Sequence, residues 1–429
     1  MTRSDLLKIE TKGYIQRSMI IVAMIIAVVF AFASIRIQIG NMIADLGSPN
    51  QPDAEEVAEA GINFAPNDPT ANWFKATVEK GVFSPARLES SKHYYQRAVM
   101  LAPFDYRWWL ELGRAYEQVE SPNAEAAFLQ AQKLAPSSVY VQWQIGNFYL
   151  RQGKTDAAFN AFRSATINNF VYREQVFSLA WDYFEKDPAK LETVIADDPG
   201  VYAFLAMFYA ARGNASDAVR IWNKLSESQR NEFPELRKVM AQGLFEKRYF
   251  PQSLAFAVEA GIDPEAVPGS FSNGGFESDI AAAEDTFFGW RVPRTDGKLD
   301  VMVDRSVKSS GSRSMRLSFR GFSKAELYTL FQTLVVDPST NYRVSFRVRT
   351  EGLRSGGNPQ VDAVCANDDK LISNTKPFAA GTNDWQDVVF DVPVPSNCNG
   401  ITIRTSRAFC GDNCPIVGVV WYDDFNISK

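Results

Sequence analysis

One stretch near the start of the chain constrains the fold more than any other. Residues 18–35, SMIIVAMIIAVVFAFASI, contain no charged residue. Their length is close to the roughly 20 apolar residues that a helix needs to cross the hydrocarbon core of a membrane. We therefore expect residues 18–36 to form a single transmembrane helix. A cleaved signal peptide is the alternative, with Ala31-Phe32-Ala33 as a weak cleavage site.

Basic residues are distributed unequally around this run. Four of them precede it, whereas Arg36 is followed by no basic residue until Lys75. Because segments rich in Lys and Arg remain on the cytoplasmic side, we expect residues 1–17 to be a cytoplasmic tail and the remainder to lie outside. Residues 37–69 carry four prolines among acidic and small residues. They are predicted to be a linker with one short helix at Ala54–Ala60.

The cysteines favour the same location. All four lie in the last third of the chain, at Cys365, Cys398, Cys410 and Cys414. Cysteines clustered in a region that leaves the cytoplasm favour disulfides in an oxidising compartment. Of the three possible pairings we favour Cys365–Cys398 and Cys410–Cys414. A metal site is the alternative, although C-x3-C spacing without a nearby histidine fits zinc poorly.

Composition and motifs argue against several classes of function. The net charge of −5 and the pI near 5.3 do not indicate a nucleic-acid binder. The single histidine, His93, removes most histidine-based metal sites and catalytic triads. The sequence contains no G-x-S-x-G, P-loop or H-E-x-x-H motif. We therefore expect no enzymatic activity, and a glycan-processing enzyme is kept as an alternative.

The middle of the chain repeats itself. Three copies of one pattern are Trp109-x2-Leu112-Gly113-x2-Tyr116 with Phe128, Gln142-x2-Ile145-Gly146-x2-Tyr149 with Phe162, and Tyr202-x2-Leu205-Ala206-x2-Tyr209 with Trp222. The pattern resembles the tetratricopeptide repeat (TPR) family over residues 70–262. The resemblance implies helix pairs stacked into an α-solenoid, in which the small residue lets the first helix of a pair approach the second.

The same resemblance implies a protein-binding groove lined by the first helix of each pair. The groove positions are Arg107, Arg114, Glu117, Trp143 and Asn147, followed by Ala203 and Met207. These positions change from charged to apolar along the repeats, which suits a peptide or a partner helix. The alternative left open is that they are ordinary solvated or inter-repeat residues.

From residue 268 the periodicity changes from helical to two. Apolar residues alternate with polar ones at Met315, Leu317 and Phe319, at Tyr342, Val344, Phe346 and Val348, and at Ile401 and Ile403. Turns rich in Gly and Pro separate these runs. The alternation predicts an antiparallel β-sandwich over residues 268–429, with one buried face per sheet.

Short motifs in a fixed order add a second resemblance. They are N-G-G-F-E at 273–277, G-W at 289–290, G-S-R-S-M-R-L at 311–317, N-D-W at 383–385 and W-Y-D-D-F at 421–425. Together they resemble jelly-roll carbohydrate-binding modules, akin to the galactose-binding-like fold. The resemblance implies that segments 272–278 and 421–428 pair as strands and that Asn273, Glu277 and Asp424 hold a structural calcium ion. Pairing without a metal is the alternative.

The outward rows of the predicted strands are rich in arginine. They comprise Arg316, Arg320, Arg343, Arg347, Arg349 and Arg404, with Tyr328, Gln332 and Trp385 expected near the same surface. Because guanidinium groups bind carboxylates and phosphates bidentately, this face suits an acidic polysaccharide or an acidic protein surface. The alternative is a solvated face whose arginines pair with neighbouring carboxylates.

These features predict a multidomain chain, α then β, with a membrane helix, a solenoid and a sandwich. We expect a non-catalytic scaffold in a bacterial inner membrane, with most of the chain in the periplasm. The repeats would bind a protein and the sandwich a glycan or a protein. The alternative is a structural accessory subunit of a large respiratory, photosynthetic or secretory complex, whose other membrane subunits are its partners. Beyond calcium, no cofactor and no nucleic-acid partner is expected.

Overall fold

The chain has a helical N-terminal region and a C-terminal region of antiparallel sheets. The computed structural model describes residues 13–82, 84–167, 170–293 and 297–429. The helices in these ranges are α1 Tyr14–Leu46, α2 Ala54–Phe64, α3 Pro69–Lys80, α4 Pro85–Leu101, α5 Tyr106–Gln118, α6 Ala124–Leu134, α7 Val139–Arg151, α8 Thr155–Thr166, α9 Phe170–Tyr183, α10 Pro188–Val194, α11 Pro199–Arg212, α12 Ala215–Trp222, α13 Glu227–Arg230, α14 Pro234–Glu246 and α15 Phe250–Glu259. The strands are β1 Leu299–Asp304, β2 Ser314–Phe322, β3 Phe331–Val335, β4 Asn341–Arg354, β5 Pro359–Cys365, β6 Leu371–Asn374, β7 Gly381–Pro393, β8 Gly400–Arg407 and β9 Ile416–Ser428.

The chain divides into two compact units. The first comprises the residues up to 176 together with 192–196, and the second comprises 177–191 and 197–429. The second unit therefore contains both the last helices and all of the strands. The division does not coincide with the sequence-predicted boundary between residues 262 and 268.

Local sequence explains where the helices of the first unit begin. Asp68 and Ser84 each precede a proline at the first helical position, and their side chains accept hydrogen bonds from the backbone N–H groups of Ala71 and Arg87. Ser138 caps α7 in the same way through Val141. Short polar side chains at this position satisfy N–H groups that have no partner inside the helix. Proline fits the first turn because it lacks an N–H group.

Helix pairing in the first unit follows the repeated motif. Gly146 on α7 faces the Phe162 ring on α8, and a side chain at position 146 would overlap that ring. Phe162 itself is fully buried. The small residue and the aromatic residue of the repeat therefore meet between the two helices of a pair, as the motif predicts.

Helix α1 is long and apolar enough to cross a membrane. Most of its residues are exposed, but Gly40 and Ala44 near its C-terminal end are buried. Gly40 lies against Ala65 with no space for a side chain, and Asn41 Nδ2 donates to Asp68 Oδ2 over 3.1 Å. The segment predicted to be a linker therefore begins with the helical end of α1, while the short helix predicted at Ala54–Ala60 is confirmed as part of α2. Helix α1 continues to Leu46. Its small residues near that end allow it to pack closely on α2 and α3.

The strands of the second unit form two sheets. One has the order β1-β2-β9-β4-β7 and the other the order β3-β8-β5-β6, and the recorded strand pairs are antiparallel. Their inward side chains, such as Val344 and Phe346 from the first sheet and Ile401 and Ile403 from the second, belong to one hydrophobic core. The alternating residues of the sequence thus occupy the buried faces that their period of two predicts.

Segment 272–278 is a turn and not the strand that was predicted. Asn273 and Phe276 both have positive φ angles, which interrupt an extended conformation. The turn nevertheless meets the end of the chain, because the backbone N–H of Phe425 donates to the Gly274 carbonyl over 2.9 Å. The two segments therefore lie together as expected, although only the second is a strand.

Candidate functional site

A cavity of about 500 Å³ opens on the first unit, where α1, α3, α5 and α7 come together. Its lining is Asp45, Thr70, Trp73, Arg107, Trp108, Leu110, Glu111 and Tyr140. The Trp73 and Trp108 rings are 5.9 Å apart between centroids. Aromatic walls with a few charged groups are typical of sites that hold a ligand or a partner side chain.

Arginines fix the charged groups of this cavity. Arg114 Nη1 donates to Glu111 Oε1 over 2.6 Å, and its Nη2 donates to the Tyr140 hydroxyl over 2.8 Å. At the rim, Arg107 binds Asp105 through Nε and Nη2 and lies 5.4 Å from the Trp108 ring centroid. The hydrogen bonds from Arg107 hold the pKa of Asp105 below its ordinary value. The cavity therefore combines an apolar floor with fixed charges of both signs.

The seven predicted groove residues do not line one common site. Arg107 lines the cavity and Arg114 supports its wall. Glu117 is paired with Arg151 over 2.7 Å. Trp143 packs on Phe162 and Tyr172, and Asn147 donates to the Trp143 carbonyl. In the second unit, Ala203 is fully buried within its helix packing and Met207 is half-buried.

Sequence reasoning missed several lining residues of the cavity. Asp45 was missed because residues 37–69 were taken for a linker. Trp73 falls inside the predicted repeats, residues 70–262, but no groove position was assigned before Arg107, because the three full motif copies begin at Trp109. The Asp68-Pro69 cap immediately before Trp73 was the signal that could have located the earlier helix.

Four arginines of the five-stranded sheet pair with aspartates. Arg343 Nε lies 3.1 Å from Asp391 Oδ1 and Arg347 Nε lies 2.8 Å from Asp387 Oδ1. The remaining recorded pairs on this face are Arg349 with Asp384 at 3.5 Å, and Arg316 with Asp300 at 3.6 Å and Asp304 at 3.7 Å. These four arginines therefore pair with neighbouring carboxylates, which is the alternative left open by the sequence. Arg320 lies on the same strand as Arg316 and is exposed.

Trp421 lies beneath two of these arginines. In the strand register it stands directly opposite Arg316 on one side and Arg349 on the other. Its side chain is 4% exposed and its Nε1 donates to Asp304 Oδ2 over 3.0 Å. Burial alone would raise the pKa of Asp304, but this bond and two backbone N–H groups outweigh burial and lower that pKa. The ring is therefore covered and does not form an open stacking platform.

Two residues expected on the arginine-rich face, Arg404 and Gln332, do not lie there. Arg404 belongs to β8 in the other sheet, where its guanidinium lies 3.7 Å from the Tyr328 ring centroid. Gln332 is buried and donates to the carbonyl of Phe288 over 2.7 Å. Trp385 is half-buried on β7, the edge strand of the five-stranded sheet. A period of two separates inward from outward residues but does not assign a strand to a sheet.

The proposed calcium ligands are engaged by protein donors. Glu277 accepts hydrogen bonds from the Ser312 hydroxyl and from the backbone N–H groups of Ser312 and Arg313, which together lower its pKa. Asp424 accepts from the Ser310 hydroxyl, and the Asn273 oxygen accepts from the Ser278 N–H.

The structure does not test the calcium prediction directly. Over the ranges that the structure describes, no group of three or more His, Cys, Asp or Glu side chains is placed to hold one. Calcium stays a prediction, and no property of the site is derived from it.

The cysteines pair as favoured from the sequence. Cys365 lies beside Cys398 and Cys410 beside Cys414, with 5.8 Å between the Cα atoms of each pair. This separation is ordinary for a disulfide. Both bonds belong to the second unit, where the first ties β5 to the turn before β8.

Comparisons with known proteins give distant likenesses. No family model matches the chain, and no curated protein does. Among solved structures, a CBM4 domain covers 37% of this chain and 98% of its own, at 15% identity and a TM-score of 0.28. MamA covers 31% of this chain and 76% of its own, at 20% identity and a TM-score of 0.26. TmCBM61, solved with beta-1,4-galactotriose, covers 37% of this chain and 97% of its own, at 18% identity and a TM-score of 0.25. Because these scores are low, the function proposed for this chain rests on its own residues.

Proposed function

We propose that this chain is a non-catalytic adaptor, anchored in a membrane by α1, that holds a protein segment in the α1-α3-α5-α7 cavity. The observation that carries the proposal is the pair of tryptophans, Trp73 and Trp108, beside Tyr140 and fixed charges. Tryptophan, tyrosine and arginine are the residues in which binding energy concentrates at protein interfaces. A volume of about 500 Å³ accommodates a few anchoring side chains of a peptide or helix.

The position of Asp45 favours a partner that is itself a membrane protein. Asp45 lines the cavity and is the second-last residue of α1. It follows Arg36, the predicted end of the membrane span, by roughly 14 Å of helix at 1.5 Å per residue. This proximity supports the alternative that the chain is an accessory subunit of a large inner-membrane complex.

For the second unit we propose a β-sandwich of the jelly-roll type that contacts protein. Four arginines of the five-stranded sheet already pair with aspartates, and the Trp421 ring is covered. The four are Arg316, Arg343, Arg347 and Arg349. Both features favour a protein surface over an acidic polysaccharide or a stacked sugar. A glycan remains the second candidate for this region, because the order of its short motifs resembles carbohydrate-binding modules.

For the whole chain we propose a bacterial inner-membrane protein with its N-terminus in the cytoplasm and most of its mass in the periplasm. The excess of basic residues before the apolar run supports this orientation. The two disulfides support an oxidising compartment. A TPR-like solenoid over residues 70–262 is supported by two helix pairs, α5 with α6 and α7 with α8, which approach each other at Gly113 and Gly146.

The test is purification of the full-length chain from its native membrane in a mild detergent, with quantification of co-purifying proteins. The cavity variant is Trp73→Ala with Tyr140→Ala, and the matched control is Arg343→Ala with Arg347→Ala on the sheet. We expect a stoichiometric membrane partner that is lost from the cavity variant and retained by the control. A partner retained by the cavity variant and lost from the control would overturn the proposal.

A further inference from the structure

The Cys410–Cys414 disulfide lies against a buried arginine. Arg407, the last residue of β8, is 7% exposed. Its Nη2 is 3.0 Å from Cys414 Sγ and 3.3 Å from Cys410 Sγ. The same guanidinium therefore faces both sulfur atoms of the bond.

The other partners of this guanidinium are neutral. Arg407 donates to the carbonyl oxygens of Gly357 and Lys324 and to the hydroxyl of Ser355. In the part of the chain that the structure describes, no carboxylate forms an ion pair with it. Burial lowers the pKa of Arg407, and no neighbouring charge offsets this effect. A buried cation without a counter-ion is costly, so a negative charge on either sulfur would be stabilised there.

The second disulfide of the chain offers an internal comparison. Cys365 and Cys398 are 1% and 0% exposed. Cys398 Sγ contacts the Gly400 carbonyl and Cys365 Sγ contacts Asn367, and among the described residues no cation contacts either sulfur. A thiolate at this site would be buried next to a carbonyl oxygen, which disfavours its charge.

Access to the two bonds differs as well. Cys410 is partly exposed, and the preceding residue, Phe409, is 81% exposed. Cys414 is 6% exposed and lies on the inner side of the loop, nearer to Arg407. Cys410 is therefore the more exposed partner for an external thiol, and the sulfur that would leave, Cys414 Sγ, is the nearer of the two to the cation.

We propose that Cys410–Cys414 is a reactive disulfide that exchanges with a dithiol reductant, and that Arg407 drives the exchange by pairing with the Cys414 thiolate. A reductant thiolate attacks Cys410 Sγ, forms a mixed disulfide and breaks the Cys410–Cys414 bond. The electron pair of that bond leaves on Cys414 Sγ, beside Arg407. The second thiolate of the reductant then attacks the reductant sulfur of the mixed disulfide and releases Cys410, which takes a proton. The protein disulfide is reduced by two electrons and the dithiol is oxidised to its own disulfide.

The first experiment equilibrates the full-length chain in mild detergent with mixtures of reduced and oxidised dithiothreitol. Free thiols are then alkylated, and each cysteine pair is quantified by mass spectrometry. We expect Cys410–Cys414 to be half reduced at a ratio of reduced to oxidised reagent at least tenfold lower than Cys365–Cys398. Equal midpoints, or an earlier midpoint for Cys365–Cys398, would overturn the proposal.

The Arg407→Gln variant tests the role of the cation. In this variant, half reduction of Cys410–Cys414 is expected to need an about tenfold higher ratio of reduced to oxidised dithiothreitol. The midpoint of Cys365–Cys398 should not change, which shows that the fold is intact. Arg407→Lys, which keeps a charge, should restore part of the shift. An unchanged Cys410–Cys414 midpoint in a folded Arg407→Gln chain would show that the arginine has no such role.

A second measurement uses the natural sequence and does not depend on how the variant folds. After selective reduction, the rate at which Cys414 reacts with iodoacetamide is followed against pH. We expect half-maximal reactivity at least one pH unit below the ordinary thiol value of about 8.5. A midpoint at or above that value would contradict stabilisation of the thiolate by Arg407.

Discussion

The cavity of the first unit and the outer face of the five-stranded sheet both combine arginine with tryptophan, but they use them differently. At the cavity, Trp73 and Trp108 line an open space, and Arg107 lies at its rim. On the sheet, Trp421 is covered, and Arg349 beside it pairs with Asp384. The difference teaches that residue types alone do not make a binding surface. Charges are paired at both places, so what distinguishes the cavity is that its rings border an open space, whereas the Trp421 ring is covered by its neighbours.

The largest expected effect concerns the helix that carries Trp73. Lys75 on the same helix is 3% exposed and forms ion pairs with Glu59 and with Glu79, the latter over 2.8 Å. Burial disfavours the charge of Lys75, but these carboxylates outweigh burial and raise its pKa. Replacing Lys75 with Met removes both ion pairs and leaves the buried Glu79 with Arg87 as its recorded cation, over 2.8 Å, while Glu59 is 55% exposed. Because Arg87 still compensates Glu79, we expect a loss of about 3 kcal/mol in the free energy of unfolding, the lower end of the range for broken buried pairs.

Chemical denaturation followed by far-UV circular dichroism measures this loss. The matched control is Arg343→Ala, which removes an exposed pair and should cost no more than about 1 kcal/mol. An equal loss of unfolding free energy in the two variants would contradict the claim that the ion pairs of Lys75 are buried and stabilising while those on the sheet are solvated and weak.

The next effect depends on pH. Because the folded pKa of Asp304 is lowered, its stabilisation is complete above its unfolded pKa of about 3.9 and is lost as the pH falls through the folded pKa. The bond from Trp421 Nε1 to this charged acceptor is expected to contribute roughly 1.5–3 kcal/mol. The stability difference between the natural chain and Asp304→Asn should therefore shrink as the pH falls below about 4. A difference that is constant over this range would show that the Asp304 charge does not hold Trp421 in place.

A gain in stability is expected inside the sheet core. The side chain of Tyr422 is fully buried, and its hydroxyl has no hydrogen-bond partner among the residues that the structure describes. Tyr422→Phe removes this unsatisfied group and should stabilise the chain by about 1 kcal/mol. The melting temperature of the second unit measures the effect, and Tyr342→Phe is the control, since that hydroxyl accepts from the Asp337 N–H. Destabilisation by Tyr422→Phe would indicate that a water or another group satisfies the hydroxyl.

The smallest effect is the coupling between Arg343 and Asp391. Both side chains are largely exposed, at 65% and 70%. A double-mutant cycle with alanine at each position should give a coupling energy of about 0.2–1 kcal/mol, which falls with added salt. A larger, salt-independent coupling would mean that this face is less solvated than its exposure indicates.

Much of the fold could be predicted from local sequence. The apolar run predicts α1. The alternation of apolar and polar residues predicts strands β2, β4 and β8, as at Leu317, Val344 and Ile403. The C-terminal end of α1 could not be predicted, because Gly40 and Ala44 are helical only through their packing on α2 and α3. Such tertiary contacts leave little trace in local composition.

The candidate site could be predicted only in part. Arg107 was found through the repeat pattern. Trp73 lies within the predicted repeats but upstream of the three motif copies, and Asp45 lies in the segment predicted to be a linker. On the sheet, the outward position of Arg343 followed from its period of two. Its pairing with Asp391 depends on the register between β4 and β7, which no single strand encodes.

The most direct test of the central claim is site-specific photocrosslinking in native membranes with the full-length chain. One photoreactive residue replaces Asp45 in the cavity, and another replaces Val389, which is 57% exposed on the sheet face. We predict a single recurrent membrane-protein adduct from position 45 that disappears when Trp73 is also changed to Ala. An adduct from position 389 alone, or one from position 45 that survives Trp73→Ala, would contradict the assignment of the cavity as the partner-binding site.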